Sequence, residues 1–140
     1  MKTKRWVNRK DMEGNNVFEG GFLGLDNIGL FNRSEPLPYG AILRQADGTS
    51  WMSYFSLCML HIALELAKNN PAYEDIASKF LEHFFHISDA MTYQAKGKTE
   101  ALWDREDNFF YDSISWPGGH TQRLKTRSLG KVNIFETKAV

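Results

Sequence analysis

The chain has 140 residues, enough for one domain or part of one. Hydrophobic residues make up 42%, with 10 Phe, 5 Tyr and 4 Trp, which argues for a packed core and against disorder. The 17 basic and 17 acidic residues balance, so no net field selects nucleic acid or an anionic membrane.

The basic start (Lys2, Lys4, Arg5, Arg9, Lys10) is not followed by an apolar run, so it does not read as a signal peptide. Residues 17–48 hold most of the glycines and two prolines, Pro36 and Pro38, and read as a long ordered loop rather than regular elements. Within it, Gly20, Gly21, Gly24 and Gly29 alternate with Phe22, Leu23, Leu25, Ile28, Leu30 and Phe31 around a single acid, Asp26. Glycines let backbone approach a ligand closely, and apolar neighbours favour a protonated carboxyl suited to general acid work. Composition alone favours the plainer reading, in which Asp26 caps a nearby turn.

Asp47, Thr49 and Ser50 are candidate caps for a first helix over about 50–68. From Trp51 to Ala67 nearly every position is apolar or small, the pattern of a helix buried on every side. The lone cysteine, Cys58, and His61 lie in this run and read as core residues. Asn70-Pro71 ends that helix and caps a second, over about 71–92, with Tyr73, Ile76, Ala77, Phe80, Phe84, Ile87 and Met91 on one face. His83 and His86 have metal-ligand spacing but no third partner, so packing or surface roles are favoured and no metal or cofactor is expected.

Asp104, Glu106, Asp107 and Asp112 invite a calcium reading. The loop pattern fails, because Phe109 and Ser115 stand where glycine and glutamate are needed, so a hydrogen-bonded turn is favoured. Residues 109–128 around Pro117-Gly118-Gly119 form a predicted β-hairpin. Asn32-Arg33-Ser34 matches a glycosylation acceptor, a pattern common by chance. Gln45, Asp47 and Trp51 at the mouth of a buried helix suit a sugar, polar groups for hydroxyls and an indole for a pyranose face. On spacing alone, plain capping by Asp47 plus a core Trp51 is the favoured reading.

Four blocks, "NVFEGGFLGLDNIGLFNRS", "LRQADGTSWM", "LELAKNNPAYEDIASKFLEHF" and "LWDREDNFFYDSI", resemble in order the C-terminal catalytic domain of glycoside hydrolase family 63, which includes processing α-glucosidase I and mannosylglycerate hydrolases. The likeness covers roughly residues 5 to 129. It implies an all-α fold, part of an (α/α)6 toroid, with long loops and the C-terminal hairpin. It also implies an inverting α-glycosidase whose general acid, in Gly24-Leu25-Asp26, is Asp26, with Gln45, Asp47 and Trp51 as substrate-binding residues. Asn32 departs from the aspartate of many relatives. The family's base, a glutamate far downstream, has no counterpart here, so the chain reads as a fragment holding half of the chemistry, inactive alone. The alternative is a non-catalytic helical remnant that binds sugar or protein. The expected partners are an oligosaccharide or small glycoside, and either a second copy or the missing part of the barrel. No nucleic acid or membrane partner is expected, and the cysteine usage points to the cytoplasm.

Overall fold

The computed structural model describes residues 10, 11, 14–19, 35–92 and 102–127. Asp26 lies outside the described residues. In chain order come strand β1 (Phe18–Glu19), a 3-10 turn (Pro38–Gly40), strand β2 (Ile42–Gln45), helix α1 (Ala46–Ala67), a second 3-10 turn (Pro71–Tyr73), helix α2 (Glu74–Thr92) and strands β3 (Trp103–Asp104), β4 (Phe109–Phe110), β5 (Asp112–Ser115) and β6 (Thr121–Leu124).

The toroid expectation is overturned. Among the described residues, two helices and six strands in two antiparallel sheets, with 20% strand and 51% helix, make a small α+β unit and not an all-α ring. One sheet has the order β1-β2-β5-β6, and the other is the β3–β4 hairpin. The segment expected as loop thus supplies two strands. Phe18 pairs with Gln45 and Glu19 with Arg44, while Ile42, Leu43 and Arg44 pair with Ser115, Ile114 and Ser113.

β2 passes into α1 with no intervening loop. Gln45 is extended at φ −103° and contributes no side-chain cap. The first helical amide is satisfied from outside the helix: Ala46 N–H donates to Asp112 Oδ1 at 2.8 Å. Thr49 Oγ1 donates back to the Gln45 carbonyl and accepts from Phe18 N–H at 2.9 Å, which ties β1 to the first helical turn. Gly48 fits there because a Cβ would lie 3.1 Å from the Phe18 ring. Asp112→Ala should cost about 1–3 kcal/mol, since a buried amide loses its acceptor. Asp112→Asn keeps an oxygen there and should cost less. Urea unfolding of the two variants measures the difference, and equal losses would show that the acceptor is not what matters.

α1 is not buried on every side, contrary to its composition. Its covered residues are small or polar (Ala46, Asp47, Gly48, Thr49, Ser50, Ser53, Ser56, Ala63), with Met52 the large exception. Trp51, Tyr54, Ile62, Leu64 and Leu66 are exposed. Small residues let α2 approach closely, so α1 and α2 form a tight helical hairpin. Its corner follows the sequence: Asn70 accepts from Ala72 N–H at 3.1 Å and Pro71 holds the first turn position. α2 buries Ala77, Ile87 and Met91, but Ile76 is turned to solvent. Cys58 is partly exposed and His61 exposed, so neither is a core residue.

The core lies where helices meet sheets. Val17, Phe18, Ala46, Met52, Ile87, Met91, Leu102 and Phe110 form it, with Ala90 and Trp103 against its edge. Full burial of a side chain such as Met52 or Ile87 contributes about 1.5–3 kcal/mol.

Candidate functional site

The three described residues of the predicted sugar site part company at the β2–α1 junction. Gln45 and Asp47 are completely buried, while Trp51 is 47% exposed. The carboxylate of Asp47 accepts from Gly48 N–H at 2.7 Å, so it serves the first turn. Trp51 projects one turn further along, on the open side of α1. Tyr54 stands edge-on to it, with ring centroids 6.0 Å apart and planes at 85°. A hydrogen bond with the Cys58 side chain raises the Tyr54 phenol above its usual pKa, and charge repulsion and burial add to this. The junction is thus a buried, hydrogen-bonded base with a half-exposed indole one turn along.

Beside the junction, the sheet buries charge. Arg44 Nε lies 3.6 Å from Asp11 Oδ2 and 3.5 Å from Glu19 Oε1, and its Nη1 donates to Ser115 Oγ at 2.7 Å. Asp11 in turn accepts from the backbone and side-chain amides of Asn15. Buried ions in such a group are each compensated, as burial requires. Ser53 Oγ and Ser113 Oγ are buried without a hydrogen-bond partner among the described residues.

The acidic cluster is a turn bound to cations. Asp104 Oδ1 accepts from the amides of Glu106 and Asp107 at 2.9 and 3.0 Å, closing the β3–β4 corner, where Asn108 takes a left-handed φ of 49°. The Lys125 ammonium lies 2.9 Å from Asp107 and 3.4 Å from Asp104. Tyr111 Oη donates to Asp107 and accepts from Arg127 Nε, while Arg123 donates to the Trp103 carbonyl. The backbone amide of Asp107 holds the Asp104 carboxyl below its usual pKa, with Lys125 helping. Lys125 and then Tyr111 do the same for Asp107, and Asp107 raises Lys125. No group of three or more His, Cys, Asp or Glu among the described residues is placed to hold a metal. His86 is exposed, and His83 packs beside Phe80 with ring centroids 6.4 Å apart.

These shifts fix a pH window. Depressed carboxyls contribute stability above their unfolded pKa near 3.9 and lose it as pH falls through the folded values. A raised lysine contributes below about 10.4 and loses it as pH rises through its folded value. The cluster is thus fully effective between about pH 4 and 10. The stability advantage of the parent over Asp104→Asn should be constant across neutrality and shrink below about pH 4 in thermal melts. A gap unchanged from pH 7 to pH 3 would show that the charge contributes nothing.

Two features escaped sequence reasoning. Asp112 caps a helix 66 positions earlier, which no local spacing signals. Tyr39 is a non-glycine residue at φ 59° and ψ 23°, and it is 90% exposed. That left-handed conformation costs about 1–2 kcal/mol. The Pro38-Tyr39-Gly40 sequence signals a turn but not which residue takes the strain.

No helix among the described residues is long and apolar enough to cross a membrane. No family model and no solved structure matches the chain. The chain is similar to a protein of Saccharomyces cerevisiae (strain ATCC 204508 / S288c) whose description reads "Uncharacterized protein YMR196W", at 63% identity over 134 residues. The match takes in 89% of this chain and 12% of the yeast protein, so the chain spans a small part of the relative's length.

Proposed function

We propose that the chain is the acid-bearing part of an inverting hydrolase of α-glycosidic bonds, acting with further protein that supplies the base. The observation that supports this best is the half-exposed Trp51 on its buried Gln45–Asp47 base, in a chain whose Gly24-Leu25-Asp26 block resembles an α-glycosidase acid loop. Asp26 protonates the leaving oxygen. A second carboxylate, about 6.5–9.5 Å from it, draws a proton from the attacking water on the opposite face of the sugar. Trp51 stacks on a pyranose, while Gln45 and Asp47, buried below it, serve the β2–α1 junction and do not touch the sugar.

A second reading, a non-catalytic protein-binding module, is favoured by the exposed Ile62, Leu64, Leu66, Ile76, Leu81 and Phe85 on the helical hairpin. One experiment separates the two. This chain replaces the matching segment of the yeast relative, and the chimaera and the isolated chain are assayed on α-glucosides and α-mannosides. Hydrolysis by the chimaera alone is the expected result. A folded chimaera inactive on both sugars would leave the module reading.

A further inference from the structure

We propose that the end of the sheet carrying Tyr39 and the Trp116–His120 ring stack is a carbohydrate-binding patch that takes the face of a neutral pyranose. This assignment stands on the patch itself and needs neither Asp26 nor any hydrolysis.

The patch is assembled by strand pairing. Ile42 of β2 pairs with Ser115 of β5, and Ser115 with Thr121 of β6, so the turn before β2 and the tip of the β5–β6 hairpin lie at one end of the sheet. They lie close together: a Cβ placed on Gly40 would come within 3.5 Å of Pro117 Cγ. Trp116 N–H donates to the His120 carbonyl at 2.9 Å, and Gly119 N–H donates to the Trp116 carbonyl at 3.1 Å, which closes the tip. The Trp116 and His120 rings then stack with centroids 5.4 Å apart and planes 25° from parallel.

Tyr39 carries the argument. Its ring is almost wholly exposed, so it adds nothing to the core, yet the backbone beneath it is held left-handed. Glycine would take that conformation without strain, and an exposed aromatic there has no folding advantage to offset it. Strain kept at an exposed side chain points to a task for that side chain.

The surroundings choose the ligand class. From Ser115 to Gln122 the chain carries no Lys, Arg, Asp or Glu, and its polar groups are hydroxyls, an amide and an imidazole. The guanidinium of Arg44 donates to Ser115 Oγ but is itself buried. Single-stranded nucleic acid also stacks on aromatics, but it needs exposed cations for its phosphates. A neutral ring with apolar C–H faces and a rim of hydroxyls needs aromatic faces bordered by uncharged hydrogen-bonding groups, which this patch supplies.

The test is a titration of the isolated chain with maltotriose, followed by amide and ring NMR shifts. Saturable shifts are expected at Tyr39, Trp116 and His120, with affinity in the millimolar range. Tyr39→Gly should weaken binding about two- to tenfold through loss of the stacked face. The same change should leave the melting temperature unchanged or higher, because the strain is relieved. Tyr39→Phe should keep most of the affinity. Absence of saturable shifts, or equal affinity in the parent and Tyr39→Gly, overturns the patch. Binding without hydrolysis upholds it whatever becomes of the glycosidase reading.

Discussion

Asp26→Asn in the yeast chimaera should slow hydrolysis of methyl α-glucoside by roughly 10²–10⁴-fold, the contribution of one general acid. Methoxide is a poor leaving group and must be protonated as the bond breaks. An amide side chain cannot deliver that proton. Substrates with an acidic leaving group, such as a dinitrophenyl α-glucoside, need no such help and should lose far less. The ratio of the two losses is the informative quantity, because general damage to the fold would lower both equally. The acid and base act as a unit, so the isolated chain should hydrolyse neither. Equal loss on both substrates would remove Asp26 from the acid role.

Phe110→Ala should cost about 3–5 kcal/mol, the range for deleting a buried aromatic ring. Phe110 is 1% exposed and belongs to the cluster joining α1, α2 and the β3–β4 hairpin. Its ring meets Trp103 at a centroid distance of 4.8 Å and 61°, an edge-on contact worth about 0.5–1.5 kcal/mol beyond burial. Domains commonly hold only about 5–15 kcal/mol in total, so this variant should be close to unfolding at 25 °C. Phe85→Ala, at a 55% exposed position, should stay within about ±0.5 kcal/mol. Denaturant midpoints for the pair decide the matter, and equal costs would place the core elsewhere.

The parts of this fold legible in the sequence are those whose signals are local. Asn70-Pro71 marks the helical corner because a side-chain acceptor and a fixed φ act within two residues. Pro117-Gly118-Gly119 marks the β5–β6 turn because Gly118 and Gly119 take φ of 107° and 87°. β2 was hidden because Arg44 and Gln45 read as surface residues. Both are buried, and Arg44 is compensated by Asp11 and Glu19, far off in sequence. α1 misled in the opposite way. Met52 apart, its buried seam is made of residues such as Gly48, Ser53, Ser56 and Ala63, which hydrophobicity does not mark, while Trp51, Tyr54, Ile62, Leu64 and Leu66 are exposed. The all-α expectation came with the family resemblance, which the all-round apolar run of α1 suited. Of the candidate site, Trp51 was legible as an aromatic at a helix start. The burial of Gln45 and Asp47 was not: Gln45 pairs with Phe18 of a strand distant in sequence, which no local pattern signals.

The pairing of β2 with β5 also sets a timetable for synthesis. Ile42 meets Ser115 and Arg44 meets Ser113 across roughly 70 residues of chain. At about 5–20 residues per second, β2 leaves the ribosome roughly 3–15 s before the strand that covers its edge. The helical hairpin between them has mostly local contacts and can close within that interval. For those seconds the nascent chain shows a naked strand edge next to an apolar helix face, the combination that recruits holding chaperones and seeds pairing between neighbouring nascent chains.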